Sequence, residues 1–183
     1  MPLRPAIFLD RDGTLTAECG FVTRPEQVRL LPGAANAVIA LRAAGFTVVV
    51  VTNQSAVGRG LMAEGDLAAV HDEMRRQLQA EGAAIDGLYY CPAGPDADDP
   101  ERKPAPGMLH RAGRELGIDL AQSWMVGDGA RDVLAGRAAG CRGSILVRSG
   151  HDVSEAMTML DDRDLVAADL AEAARIILAR TGR

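Results

Sequence analysis

Thr47-Val48-Val49-Val50-Val51 is a run of five β-branched residues without a charge. Such a run favours an extended backbone and suits a strand covered on both faces, the situation of a central strand in a parallel sheet. A parallel neighbour can be reached only by a crossover long enough to hold a helix. This one run therefore commits its surroundings to alternating strands and helices. Ala6 to Leu9, Ile85 to Cys91, Trp124 to Val126 and Ser144 to Val147 are further short apolar runs, and Leu165 to Ala167 is a candidate for a last strand. Helical spacing fills the gaps. Ala34 to Ala44 follows Leu31-Pro32-Gly33, Ala63 to Glu81 carries the stripe Leu67, Val70, Met74 and Leu78, and Met108 to Leu116 is closed by Gly117. Val133 to Ala139 and Asp169 to Arg180 complete the set, while Val57 to Gly60 reads as a bend around Arg59 and His151 to Asp161 is weakly patterned. The pattern predicts an α/β fold, a three-layer doubly wound parallel sheet with helices on both faces. With no internal repeat and no shift in composition, residues 1–183 are expected to form a single domain.

Charge narrows the function. Twenty Lys and Arg against 25 Asp and Glu give a formal net charge of −5, so there is no basic stripe of the kind nucleic acids require. A local pocket can still be positive on an acidic protein, which keeps anionic substrates open. No stretch approaches the ~20 apolar residues of a membrane span, and Ala6 to Leu9 is too short for a signal-peptide core. Cys19, Cys91 and Cys141 are odd in number and widely spaced, unlike a disulfide framework. These features predict a cytoplasmic chain, a monomer, acting on a small molecule.

The candidate chemistry sits where the apolar runs stop. Ala6 to Leu9 ends in Asp10-Arg11-Asp12-Gly13-Thr14, Thr47 to Val51 in Thr52-Asn53-Gln54-Ser55, and Trp124 to Val126 in Gly127-Asp128-Gly129-Ala130-Arg131-Asp132. Right-handed crossovers bring the carboxyl ends of all parallel strands to one edge, where open α/β sheets hold their ligands. Lys103 arrives just before the helix from Met108. Several carboxylate ligands favour a hard cation such as Mg²⁺ over zinc. Such a cation together with a lysine can neutralise a phosphoryl group, one carboxylate can attack it, and a second can move the proton.

These four motifs, in this order over about residues 6 to 148, resemble those of the haloacid dehalogenase (HAD) superfamily of phosphatases. The resemblance implies Asp10 as nucleophile and Asp12 as general acid/base. It implies Mg²⁺ held by the Asp10 and Asp128 side chains and the Asp12 carbonyl, Thr52 as a hydrogen-bond donor to the phosphoryl oxygens with Asn53 beside it, and Lys103 on the phosphoryl group and Asp10. Asp132 would fix Lys103 or a metal-bound water. The intervals Thr14 to Thr47 and Ser55 to Ile85 are too short for the cap domain of many relatives, so an open site is expected.

Within this capless branch, Gly20-Phe21-Val22, Arg59-Gly60, Tyr89-Tyr90-Cys91-Pro92 and Arg102-Lys103-Pro104-Ala105-Pro106-Gly107-Met108 resemble the D-glycero-D-manno-heptose 1,7-bisphosphate 7-phosphatases. Histidinol-phosphate phosphatases share the first motif and Arg102-Lys103-Pro104 but match less well at Gly20 to Val22 and at Arg59. The resemblance implies that the loop Glu18, Cys19, Gly20 and Phe21, with Arg59 and Arg102, contacts the sugar and its second phosphate. Arg11, Gln54 and Ser55 complete the expected substrate-binding set. Two departures stand out. Relatives often hold a structural zinc before the lysine, whereas Cys91 has no cysteine or histidine partner before Lys103, so no zinc is expected. Gly129 also stands where heptose phosphatases usually carry a substrate-reaching lysine. Competing readings are a histidinol-phosphate or other sugar-phosphate phosphatase, and a phosphate-binding protein that has lost catalysis. His71, His110 and His151 read as surface or helix residues, the acids of Asp96 to Glu101 as a solvated loop, and Trp124 as core.

Overall fold

The computed structural model describes residues 2–182. Six parallel strands run in chain order as β1 (Ala6–Leu9), β2 (Thr47–Asn53), β3 (Gly87–Cys91), β4 (Trp124–Gly127), β5 (Gly143–Val147) and β6 (Leu165–Ala167). Their spatial order is β3-β2-β1-β4-β5-β6. Successive strands move outward from β1 to one side and then, starting at β4, to the other. The gap between β1 and β4 is therefore the switch point at which doubly wound sheets bind ligands.

The pleat explains the layering. Ile7 and Leu9 of β1 join one core with Val48 and Val50, whereas Ala6 and Phe8 join the opposite core with Val49 and Val51. The first core is covered by α1 (Ala34–Ala43), α3 (Glu64–Ala80) and α7 (Leu170–Thr181), and the second by α4 (Gly107–Leu116) and α5 (Ala130–Ala138). All four residues of β1 are fully buried; each large apolar side chain so buried contributes about 1.5–3 kcal/mol. Between β1 and β2 lie only a 3₁₀ turn (Pro25–Gln27) and α1, and between β2 and β3 only the short α2 (Ser55–Gly58) and α3. No helix among the described residues is long and apolar enough to cross a membrane.

The structure departs from the sequence reading at element ends. β2 continues through Thr52 and Asn53, because both still pair with β3 at Tyr90 and Cys91. β3 begins two residues late, at Gly87, since the Asp86 carboxylate turns back to accept from Val48 N–H at 2.8 Å. The bend after Ser55 is one helical turn, α2. α5 begins at Ala130 because the Asp132 carboxylate caps it, accepting from Gly129 N–H at 3.1 Å. The weakly patterned segment after His151 contains α6 (Ser154–Met157), whose start is held by Asp152 accepting from Ser154 N–H and Oγ–H.

His71 lies on α3, as a helix residue should, yet it is buried, with its ring 5.4 Å from that of Tyr90 and no partner on Nε2. Burial, with the positive charge of Arg11 adding to it, pushes its pKa from 6.5 down to about 3. The unfolded chain then takes up a proton that the folded one refuses. Stability contributed by the neutral ring is fully present above pH 6.5 and is lost as pH falls from there towards 3, by up to about 1.4 kcal/mol per pH unit. His71→Phe is expected to flatten this part of the acid limb. Urea melts at pH 7, 6, 5 and 4 check it, and an unchanged slope would remove His71 from the account.

Candidate active site

A cleft of ≈ 610 Å³ opens at the carboxyl edge of the sheet over the β1–β4 switch point, bordered by Asp10, Asp12, Thr52, Lys103 and Asp128 among others. A second concavity of ≈ 470 Å³ at the amino edge is lined by Arg4, Arg42 and Asp86. There Arg42 is already paired with Asp86 at 2.8 Å and no carboxylate cluster is present among the described residues. The chemistry is at the carboxyl edge.

Lys103 is its centre. The ammonium is fully buried and has three acceptors for its three protons: Val51 O at 2.8 Å, Asp10 Oδ1 at 3.0 Å and Asp132 Oδ1 at 2.6 Å. Burial alone would pull its pKa down; the carboxylates of Asp10 and Asp132 outweigh that and hold it above its ordinary value. Burial pushes the Asp132 carboxyl up, against the pull of the ammonium. Asn53 fixes the lysine from the backbone side, donating from Nδ2 to Lys103 O at 2.9 Å and accepting from Lys103 N–H at 3.0 Å.

Asp10, Asp128 and Asp132 each offer a carboxylate oxygen, all within 4.8 Å of one another. The hydrogen bonds separate their tasks. Both Asp132 oxygens are engaged, by Lys103 and by Gly129 N–H. Asp10 uses only Oδ1, which accepts from Arg11 N–H at 2.7 Å and from Lys103. Asp128 uses only Oδ2, which accepts from His151 N–H at 3.0 Å and faces the His151 ring at 2.8 Å. Asp10 Oδ2 and Asp128 Oδ1 are thus without a protein partner among the described residues, and carboxylate oxygens of this kind are the hard donors that suit Mg²⁺. The donor set fits the ion.

Asp12 borders the cleft next to Asp10. Its carboxylate is gripped by the Arg11 fork at 2.9 and 2.7 Å and by Gln54 Nε2 at 3.1 Å. Gln54 also donates to Thr52 Oγ1 at 2.9 Å, which leaves the Thr52 hydroxyl proton free for the cleft.

Most expected site residues converge here. Asp10, Arg11, Asp12, Glu18, Gly20, Phe21, Thr52, Asn53, Gln54, Ser55, Lys103 and Asp128 all line the cleft, and Asp132 lies directly behind Lys103. Arg11 arrives with Nε and Nη2 committed to Asp12 and Nη1 buried without a partner among the described residues, and Asn53 with its amide committed to Lys103. Cys19, Arg59 and Arg102 do not line it. Arg59 lies over the Phe21 ring, 5.8 Å from its centroid, and Arg102 donates to Ala93 O at 2.9 Å, tying down the loop before Lys103. Burial lowers the Arg102 pKa, and the charges of Arg131 and Arg59 push the same way. The lining residues outside the expected set include four with charged or titratable side chains, Arg131, His151, Asp152 and Glu155. Arg131 is exposed on the rim, its Nε 3.8 Å from where a side chain at Gly129 would begin. His151, expected as a mere surface residue, reaches Asp128, and that hydrogen bond raises its pKa.

Comparison with known proteins agrees with this geometry. Residues 101–173 match the HAD-hydrolase-like family model. The chain is 40% identical over 159 residues to a D-glycero-beta-D-manno-heptose-1,7-bisphosphate 7-phosphatase of Pasteurella multocida, covering 84% of this chain and 86% of that one. The chain belongs to the HAD superfamily. It is a phosphatase of that family. The same named enzyme from Bordetella bronchiseptica is 38% identical over 173 residues, covering 94% of this chain and 97% of that one. A crystal structure of the D,D-heptose 1,7-bisphosphate phosphatase from B. bronchiseptica, complexed with magnesium and phosphate, superposes with a TM-score of 0.88 at 38% identity, over 96% of this chain and 99% of that one. The HAD fold with its parallel sheet accords with this likeness.

Proposed function

We propose that this HAD phosphatase removes the 7-phosphate from a D-glycero-D-manno-heptose 1,7-bisphosphate, with Asp10 and Asp128 as the carboxylates that would hold Mg²⁺. The observation that carries the reaction is the three-way seat of Lys103 on Val51, Asp10 and Asp132. It holds one positive charge, fully desolvated, beside a carboxylate whose second oxygen is free to attack. Substrate identity rests on the curated relatives at 38–40% identity.

In this reading Asp10 Oδ2 attacks phosphorus and forms an aspartyl-phosphate, while the leaving alkoxide takes a proton from Asp12. Water then attacks the same phosphorus, giving its proton back to Asp12, and Asp10 is released. Mg²⁺ supplies charge neutralisation and alignment for the phosphoryl oxygens. The Lys103 ammonium, its protons held by Val51 O, Asp10 and Asp132, acts on those oxygens through its charge, and the free Thr52 hydroxyl proton faces them. Arg11 and Gln54 fix the direction of the Asp12 carboxylate, Asp132 fixes Lys103, and Asn53 holds the lysine backbone in register.

The second phosphate needs its own cation, and Arg131 is the exposed guanidinium on the rim. Its Nε lies 3.8 Å from where a side chain at Gly129 would begin, so a cation from two residues further along can serve where relatives carry a lysine. Arg59 and Arg102 stand behind the rim and add to its positive field. Glu18 and Phe21 line the sugar end.

The test compares phosphate release with Mg²⁺ from the heptose bisphosphate, other sugar phosphates and histidinol phosphate. The expected lead in kcat/KM for the heptose bisphosphate is about a hundredfold, roughly 2.7 kcal/mol of discrimination. A flat profile would overturn the substrate and leave the reaction. Arg131→Ala is expected to raise KM for the bisphosphate about tenfold, ~1.4 kcal/mol, and to leave p-nitrophenyl phosphate hydrolysis unchanged. Equal losses on both substrates would overturn its role.

A further inference from the structure

Asp128 is confined by a loop that the four motifs do not include. After β5 the chain passes through Ser149-Gly150-His151 and folds under the first-motif turn. Ser149 Oγ–H donates to Gly13 O at 2.7 Å. Gly150 packs so close that a Cβ there would collide with both Asp128 Oδ2 and the Gly13 Cα, and a Cβ at Gly13 would collide with Asp128 in turn. His151 then places two nitrogens on one oxygen: its N–H at 3.0 Å and its ring Nδ1 at 2.8 Å, both on Asp128 Oδ2. A carboxylate can only accept, so Nδ1 carries the hydrogen in this contact. The ring's other nitrogen faces Glu18, with Nε2 3.9 Å from its Oε2.

We propose that His151 is a positioning residue for Asp128, fixing its carboxylate rotation so that Oδ1, and not Oδ2, is presented to the cation. The inference rests on the reading of Asp128 as a Mg²⁺ ligand. The physical reason is the preference of Mg²⁺ for near-ideal octahedral geometry. A carboxylate free to rotate must be ordered on binding, whereas one pinned through its other oxygen is ordered beforehand. Hydrogen bonds from surrounding groups to metal ligands typically change metal affinity about 10- to 100-fold when removed. The two glycines play the complementary part. With no Cβ at either position, the two glycines leave the room in which Asp128 Oδ2 sits against the loop and meets His151.

The test is direct Mg²⁺ titration of the purified protein by calorimetry, with wild type, His151→Ala and His151→Asn compared. The asparagine amide can place a donor where Nδ1 stands, and alanine cannot. His151→Ala is expected to weaken Mg²⁺ binding about tenfold or more, and His151→Asn to stay within about threefold of wild type. Melting temperatures without Mg²⁺ should be alike in all three, since a merely structural role would lower the metal-free value instead. The KM for Mg²⁺ in phosphate release should rise in His151→Ala, and kcat at saturating Mg²⁺ should recover. Wild-type affinity in His151→Ala, tighter binding in it, or an equal loss in both variants would overturn the proposal. A wild-type protein that takes up no Mg²⁺ would instead overturn the metal reading beneath it, so the two failures are distinguishable.

Discussion

Asp10→Asn is expected to abolish phosphate release, by at least about 10⁴ in kcat, while leaving the fold in place. The substitution is nearly isosteric. The amide oxygen can still accept from Arg11 N–H and from Lys103, and the Asp10 backbone N–H still donates to Val126 O at 2.9 Å, holding the end of β1 against β4. What disappears is the free anionic oxygen that attacks phosphorus, together with the negative charge that Asp10 offers a cation. Other substitutions in the cleft can lower the rate while the covalent route stays open; this one closes it. The measurement pairs phosphate release at saturating Mg²⁺ with a thermal melt. A variant that folds normally and keeps more than about one per cent of the wild-type rate would mean that the nucleophile lies elsewhere.

The β-branched, uncharged character of Thr47–Val51 was enough to predict a doubly wound sheet, because a strand of that composition has few places to go but the middle of one. The strand-end rule then located Asp10, Thr52 and Asp128, since parallel strands share one carboxyl edge. The same rule would have found His151, four residues beyond the end of β5, had it been applied to a strand whose end carries no acid. Arg131 was hidden differently. Its position two residues after Gly129 is visible in the chain, but that its Nε comes within 3.8 Å of a Cβ position at that glycine depends on α5 starting at Ala130, which the Asp132 cap decides. Arg59 and Arg102 present the reverse case. Their residue type suits phosphate, yet Arg102 donates to Ala93 O and Arg59 lies over the Phe21 ring, both outside the cleft lining. Residue type tells what a side chain can bind, and packing decides what it does bind. Spacing likewise could not separate Asp10 and Asp128 from Asp132. Only the hydrogen bonds, which engage both oxygens of Asp132 and one oxygen on each of the others, do so.

Lys103→Met should damage both activity and stability, and the two losses can be separated. Methionine matches the length of the lysine stem but removes the charge. The Asp132 side chain, 1% exposed, then keeps Gly129 N–H as its partner and loses its counter-ion. Removing one partner of a buried pair typically costs about 3–5 kcal/mol, because the remaining charge is left desolvated. Activity should fall by at least about 10²–10³, the usual scale for losing a preorganised charge that faces the developing one. The sign of the pH dependence follows from Asp132. Burial already pushes its carboxyl above its ordinary value of 3.8, and without the ammonium the main pull downward is gone. A carboxyl whose folded pKa lies above its unfolded value favours the folded state when protonated. That stability is present at low pH and is lost as pH rises through the folded value, at up to about 1.4 kcal/mol per unit. The stability deficit of Lys103→Met relative to wild type should therefore be largest at pH 8 and shrink towards pH 5. Adding Asp132→Asn to Lys103→Met removes the stranded charge, so the double variant should regain most of the lost stability at pH 8 and show no such pH trend, yet remain inactive. Urea melts at pH 8 and pH 5 alongside phosphate release decide the matter. A deficit independent of pH, or a double variant no more stable than the single one, would show that the lysine is held by packing and not by its charge. Recovered activity in the double variant would mean that the ammonium acts only to balance Asp132 and never reaches the phosphoryl group.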